Sequence, residues 1–200
     1  MSSKSIYILT SVLTLLLLAG CGRSEPEEQN ILGRKSPIAV AKVLHQPSDT
    51  YIKIIYGQPY KRERDIFGQL VPYNNVWRTG ANEATELTTT DDIFFAGKKI
   101  AAGTYSLFTI PRENEPWTVI LNDELGMWGD FDYKQERDVL RVEIPATEKE
   151  SVAEAFTIQF TDVADDSTNI VMQWDHTQVS IPIQFLQTQE DRSVGQAASI

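Results

Sequence analysis

The chain has 200 residues, with 18 Lys and Arg against 28 Asp and Glu, for a net charge of −10 at pH 7. A chain this acidic lacks the overall basic footprint that phosphate backbones require, so nucleic acid is not an expected partner. A single cysteine, Cys21, excludes an intrachain disulfide, and two histidines with no shared spacing argue against a zinc site.

Lys4 precedes an apolar run over residues 6–18 that ends in Leu18-Ala19-Gly20-Cys21. The run is shorter than the roughly 20 apolar residues of a membrane-spanning helix, and small residues directly before a cysteine read as a lipobox. Residues 1–20 are therefore expected to be a lipoprotein signal peptide, with Cys21 the lipidation site. A diacylglyceryl group and an N-acyl chain, contributing roughly 0.8 kcal/mol per buried methylene, would hold the protein on a membrane without spanning it. The expected location is the cell envelope, at the outer membrane, with the face left open. Removing Lys4 with the signal leaves a net charge of about −11.

Residues 21–35 include Glu25, Pro26, Glu27 and Glu28 and cannot bury enough apolar surface to fold, so they read as an acidic tether. Residues 36–186 are long enough to bury a core as one domain, and residues 187–200 read as a polar, disordered tail.

Within the domain, period-two alternation dominates. Residues 38–44 and 51–56 form an expected hairpin around the turn residues Pro47, Ser48 and Asp49. Residues 61–65 are a mixed charge run, read as a solvated loop. Residues 70–76 approach Trp77 through a constrained loop. Alternation returns over residues 85–90 and 93–95, with Gly97-Lys98 as a turn. Residues 104–110 are apolar on both faces and are expected in the middle of the fold. Strands follow over residues 117–121 and 139–144, the latter alternating cleanly, with an irregular segment over 122–134 between them. Residues 145–151 read as a connection, before strands over 155–160, 169–174 and 178–183. About nine or ten short strands and little helix give an all-β chain, a single antiparallel β-sandwich.

The order of motifs carries a resemblance. Ile66-Phe67-Gly68, Leu70-Val71-Pro72-Tyr73 and Val76-Trp77-Arg78-Thr79-Gly80-Ala81-Asn82-Glu83-Ala84 are followed by Ala102-Gly103-Thr104-Tyr105-Ser106-Leu107-Phe108-Thr109-Ile110-Pro111. Trp117-Thr118-Val119-Ile120, Trp128-Gly129, Trp174-Asp175 and Val179-Ser180-Ile181-Pro182 complete the series. Together they resemble the DUF2911 family over residues 36–183. The resemblance implies a secreted or lipid-anchored bacterial protein and no assigned activity. Some members carry labels borrowed from asparagine synthetase, which this chain does not support because it has no phosphate-cradling loop. His176 departs from the pattern, which has lysine after Trp-Asp.

The densest polar cluster is residues 77–84. Arg78 presents a fork suited to carboxylate or phosphate, Asn82 both donates and accepts, and Glu83 would serve as acid or base if burial raised its pKa. The competing reading is a loop staple, with Arg78 paired to an acid, Asn82 holding a turn and Trp77 plugging the sandwich. Among the aromatics, Trp128 and Tyr133 lie in the irregular segment and are expected at the surface, whereas Trp117 and Trp174 are expected in the core. No catalytic residue, metal ligand or cofactor is assigned. Asp175 beside His176 lacks a serine partner, and neighbours on a strand point to opposite faces.

The expectation is thus a non-catalytic binding module for an envelope component, glycan, small ligand or partner protein, with Trp77, Arg78, Asn82, Glu83, Trp128 and Tyr133 at its contact surface. The alternative is a hydrolase or lyase acting on a small anionic or sugar substrate, with Glu83 as acid or base and Arg78 as clamp.

Overall fold

The computed structural model describes residues 34–186. The expected signal peptide, Cys21, nearly all of the tether and the tail from residue 187 lie outside the described residues.

Six strands, β1 (Ile38–His45), β2 (Thr50–Gly57), β3 (Thr85–Thr89), β6 (Gly103–Ile110), β7 (Trp117–Asn122) and β8 (Asp138–Ile144), form one sheet in the order β1-β2-β3-β6-β7-β8. Four more, β4 (Ile93–Phe95), β5 (Lys98–Ile100), β9 (Ala146–Phe160) and β10 (Ser167–Phe185), form a second in the order β5-β4-β10-β9. Every pairing is antiparallel. The described residues contain no α-helix, only short 3-10 turns at Gln46–Ser48 and Gln135–Arg137. The β-sandwich expected from the alternation is the fold.

The inward faces meet in one apolar core. Ile52, Ile54, Leu87, Leu107, Val119 and Leu121 project from the larger sheet and Phe95, Phe156, Ile158, Met172, Trp174, Ile181 and Ile183 from the smaller. Burying side chains of this size stabilises the fold by roughly 1.5–3 kcal/mol each before entropy is counted. β7 is buried along its whole length and β6 from Tyr105 to Ile110, on both faces. Their outer face carries a second cluster, Phe108, Ile110, Ile120, Ala84 and Met127, with Tyr133 packed against it. The irregular segment over residues 122–134 thus covers the outside of the larger sheet.

Turn chemistry sets the hairpins. Ala96 (φ 49°) and Gly97 (φ 78°) both take left-handed backbone, which a two-residue hairpin between β4 and β5 demands. Two expectations are corrected. Residues 145–151 are not a connection, because β9 already begins at Ala146. Residues 169–174 and 178–183 belong to one strand, β10, whose register against β9 shifts on either side of Asp175. Asp175 has φ 52°, and this bulge interrupts the alternation that otherwise marks a continuous strand.

Candidate functional site

Between β2 and β3 the chain makes no strand, yet it is pinned throughout. The first half docks on β9: Phe156 donates its amide to the Pro59 carbonyl at 2.8 Å, and Lys61 donates to Glu154 at 2.7 Å. The second half docks on β6, where Trp77 and Thr109 exchange backbone hydrogen bonds at 2.7 and 2.9 Å. Between these attachments lies a cleft of about 350 Å³.

The backbone of residues 77–84 behaves as the staple reading requires. Trp77 is buried, donates its indole N–H to the Gly80 carbonyl at 3.1 Å, and stacks on Trp174 with ring centroids 6.0 Å apart. Thr79 and Asn82 adopt left-handed backbone at φ 54° and 67°. Thr85 Oγ1 closes the loop by donating to the Thr79 carbonyl at 2.7 Å, and Gly129 donates its amide to the Asn82 carbonyl at 2.8 Å.

The side chain of Arg78 does not fit that reading. It lines the cleft, its Nε is buried without a hydrogen-bond acceptor, and among the described residues no carboxylate pairs with it. A buried donor left unsatisfied costs about 1–3 kcal/mol.

Arg78 has company of the same sign. Lys35, Arg62 and Arg64 also line the cleft, and Asp130 is the one carboxylate among the described residues that does so. Arg64 spends its guanidinium on backbone carbonyls, those of Tyr60 and Lys61, and Arg62 reaches the Lys35 carbonyl at 3.5 Å. These bonds orient the two arginines and leave their charge uncancelled. A protein with net charge −10 therefore concentrates four cations around one concavity floored by Trp77 and Trp174. Arg62 and Arg64 belong to a run read from the sequence as solvated. The available signal was the local excess of base over residues 61–64 in an otherwise acidic chain.

The other expected site residues separate. Trp77, Arg78 and Asn82 line the cleft together. Neither Glu83 nor Trp128 is among the lining residues; their backbones bridge antiparallel, and Trp128 is 55 % exposed. Tyr133 stands elsewhere, edge-on to Phe108 at 5.1 Å, donating to Asp138 at 2.6 Å and accepting from Arg141 at 2.9 Å. Burial, with the Asp138 carboxylate beside it, pushes the Tyr133 phenol up to about 12. Its half-buried hydroxyl is committed to Asp138 and Arg141.

The histidines serve local structure. His176 donates its Nδ1–H to the Lys149 carbonyl, 2.9 Å away, and its Nε2 approaches Asp175 to 3.9 Å because the bulge at Asp175 breaks the alternation that would separate them. Asp175 itself holds Lys61 at 2.6 Å. His45, 1 % exposed, bonds Ser48 at 2.7 Å, lies 3.5 Å from Asp166 and stacks flat on Phe185. A ring sealed this way braces the turn after β1. Among the described residues no three His, Cys, Asp or Glu side chains gather to hold a metal.

No curated protein and no solved structure matches the chain. One family model does, over residues 36–183, and it carries the description protein of unknown function. That match spans the sandwich and both halves of the cleft, and the chain belongs to the DUF2911 family.

Proposed function

We propose that this protein is a bacterial lipoprotein, held at the cell envelope through Cys21, whose sandwich is a non-catalytic binding module that takes an anionic ligand in the cleft beside Arg78. The observation that carries the reading is Arg78 itself, kept at the cleft wall with an orphaned Nε and no carboxylate partner among the described residues. A side chain held in this state at a cost to folding is what binding surfaces retain and structural loops discard. Three further cations and an aromatic floor support the same reading, because a carboxylate or phosphate placed there meets positive charge from several directions.

A hydrolase or lyase reading has less support. It needs Glu83 facing a bound substrate, and Glu83 is not among the residues that line the cleft. The test is calorimetric titration of the full chain in non-ionic detergent with galacturonate and with inorganic phosphate. Saturable binding that Arg78→Gln abolishes supports the reading, and no binding of either anion refutes it.

A further inference from the structure

The segment that brings Asp130 to the cleft carries a feature that a pocket for a bare anion does not need, although Trp128 and Phe131 do not themselves line the cleft. Residues 128–131 run past it in the order Trp128, Gly129, Asp130, Phe131, with Asp130 lining the cleft and Gly129 hydrogen-bonded to Asn82. Trp128 is 55 % exposed and Phe131 81 %. These are large apolar rings left to water on both sides of Asp130.

Phe131 is also placed. Gly129 has φ 73°, and a Cβ built on it would lie 2.9 Å from Cδ2 and Cε2 of the Phe131 ring. The ring therefore rests against the glycine backbone, on a segment anchored through Met127 and Gly129 to the loop that bears Arg78. A ring supported from beneath and open above is a stacking platform. Exposed aromatic rings beside a polar site mark an interaction surface.

The class of ligand follows from joining the platform to the cleft. Arginines recognise an acidic group, and the flat apolar rings accept the C–H face of a sugar. Asn82 and Asp130 add donor and acceptor capacity suited to hydroxyls. Resting on the cleft reading above, we infer that the ligand is an acidic oligosaccharide, one sugar placing its carboxylate among Arg78, Arg62 and Arg64 while its neighbours lie across Trp128 and Phe131. A free anion uses only the first part, and a neutral glycan only the second.

The full chain in non-ionic detergent is titrated calorimetrically with galacturonate, trigalacturonate and maltotriose, for wild type, Arg78→Gln, and Trp128→Ala with Phe131→Ala. The expected result is trigalacturonate binding at least about tenfold tighter than galacturonate, with maltotriose weakest, since each stacked ring adds a favourable contact. The double aromatic variant, both of whose side chains are exposed, should bind trigalacturonate no more tightly than galacturonate. Arg78→Gln should lose both. If galacturonate binds through Arg78 but the trimer binds no tighter, or the aromatic variant keeps the gain, the oligosaccharide inference is overturned while the anion cleft stands. If neither acid binds, both readings fall.

Discussion

Gly57 and Ala81 meet backbone to backbone: the Ala81 amide donates to the Gly57 carbonyl at 3.2 Å, and a Cβ built on Gly57 would lie 1.9 Å from the Ala81 carbonyl oxygen. The end of β2 and the loop bearing Arg78 are joined at a point that admits no side chain. Gly57→Ala should therefore force the loop outward, destabilising the domain by about 3 kcal/mol, as other strained core contacts do. Urea unfolding of the variant gives the number. A loss below about 1 kcal/mol would mean that the loop yields freely and that its contact with β2 does not set the shape of the cleft.

Arg78 makes the opposite prediction. Its backbone carbonyl accepts from Thr85 at 3.1 Å in any variant, whereas its Nε is orphaned in wild type. Arg78→Met keeps the length of the side chain and removes the uncompensated donor. The variant is expected to be as stable as wild type, or up to about 1–2 kcal/mol more stable, and to bind no anion. Truncating a buried salt-bridged arginine would instead cost about 3–5 kcal/mol, and a loss of that size in chemical denaturation would assign Arg78 to the staple.

Alkaline pH should weaken the fold through its phenols. The Tyr133 phenol is raised to about 12 by burial and by its bond to Asp138, and burial raises those of Tyr56, Tyr73 and Tyr105. A free phenol titrates near about 10, so between the two values the unfolded chain has released a proton that the folded one still holds. Stability is full below about pH 10 and falls as pH rises through the folded value. For Tyr133 the ceiling is about 3 kcal/mol, reduced to about 1 kcal/mol by solvent screening of a partly exposed group. Urea midpoints measured upward from about pH 9 should fall less steeply for Tyr133→Phe than for wild type.

The bulge on β10 supplies another handle. Asp175 takes left-handed backbone, grips Lys61 at 2.6 Å, and has an Oδ1 that is buried without a hydrogen bond. Asn tolerates the same backbone, so Asp175→Asn removes the charge without disturbing the bulge. The expected loss is about 2 kcal/mol, since Lys61 would be left largely buried and unpaired beside the arginines of the cleft. Double-mutant analysis with Lys61→Met measures the coupling, and additive losses would remove the pair from the account.

The framework was legible because its signals are local. Clean alternation marked β8, apolar residues on both faces placed β6 in the middle, and the turn expected at Gly97-Lys98 falls one residue earlier, at Ala96-Gly97. The reading failed where one residue changes the rule, as at Asp175, whose φ of 52° made β10 look like two strands. The site was half legible. Trp77, Arg78 and Asn82 lie within six residues, and their density drew notice. Arg62 and Arg64 reach the same cleft because residues 59–61 dock on β9, a pairing across about ninety positions that no window of sequence contains, and Lys35 reaches it from ahead of β1. Tyr133, expected at the surface, is half-buried: the irregular segment that holds it folds back over Phe108, and its hydroxyl is taken up by Asp138 and Arg141, away from the cleft.

β6, buried on both faces, sets how the cleft comes apart. Amide exchange should be slowest along β6 and β7, because opening them requires the whole domain to open. Trp77, the floor of the cleft, is laddered directly to Thr109 on β6 through two backbone bonds. The cleft is thus fastened to the last part of the molecule to let go. On heating, ligand affinity and global structure should vanish in one step, with no range of temperature in which a folded domain carries a melted site.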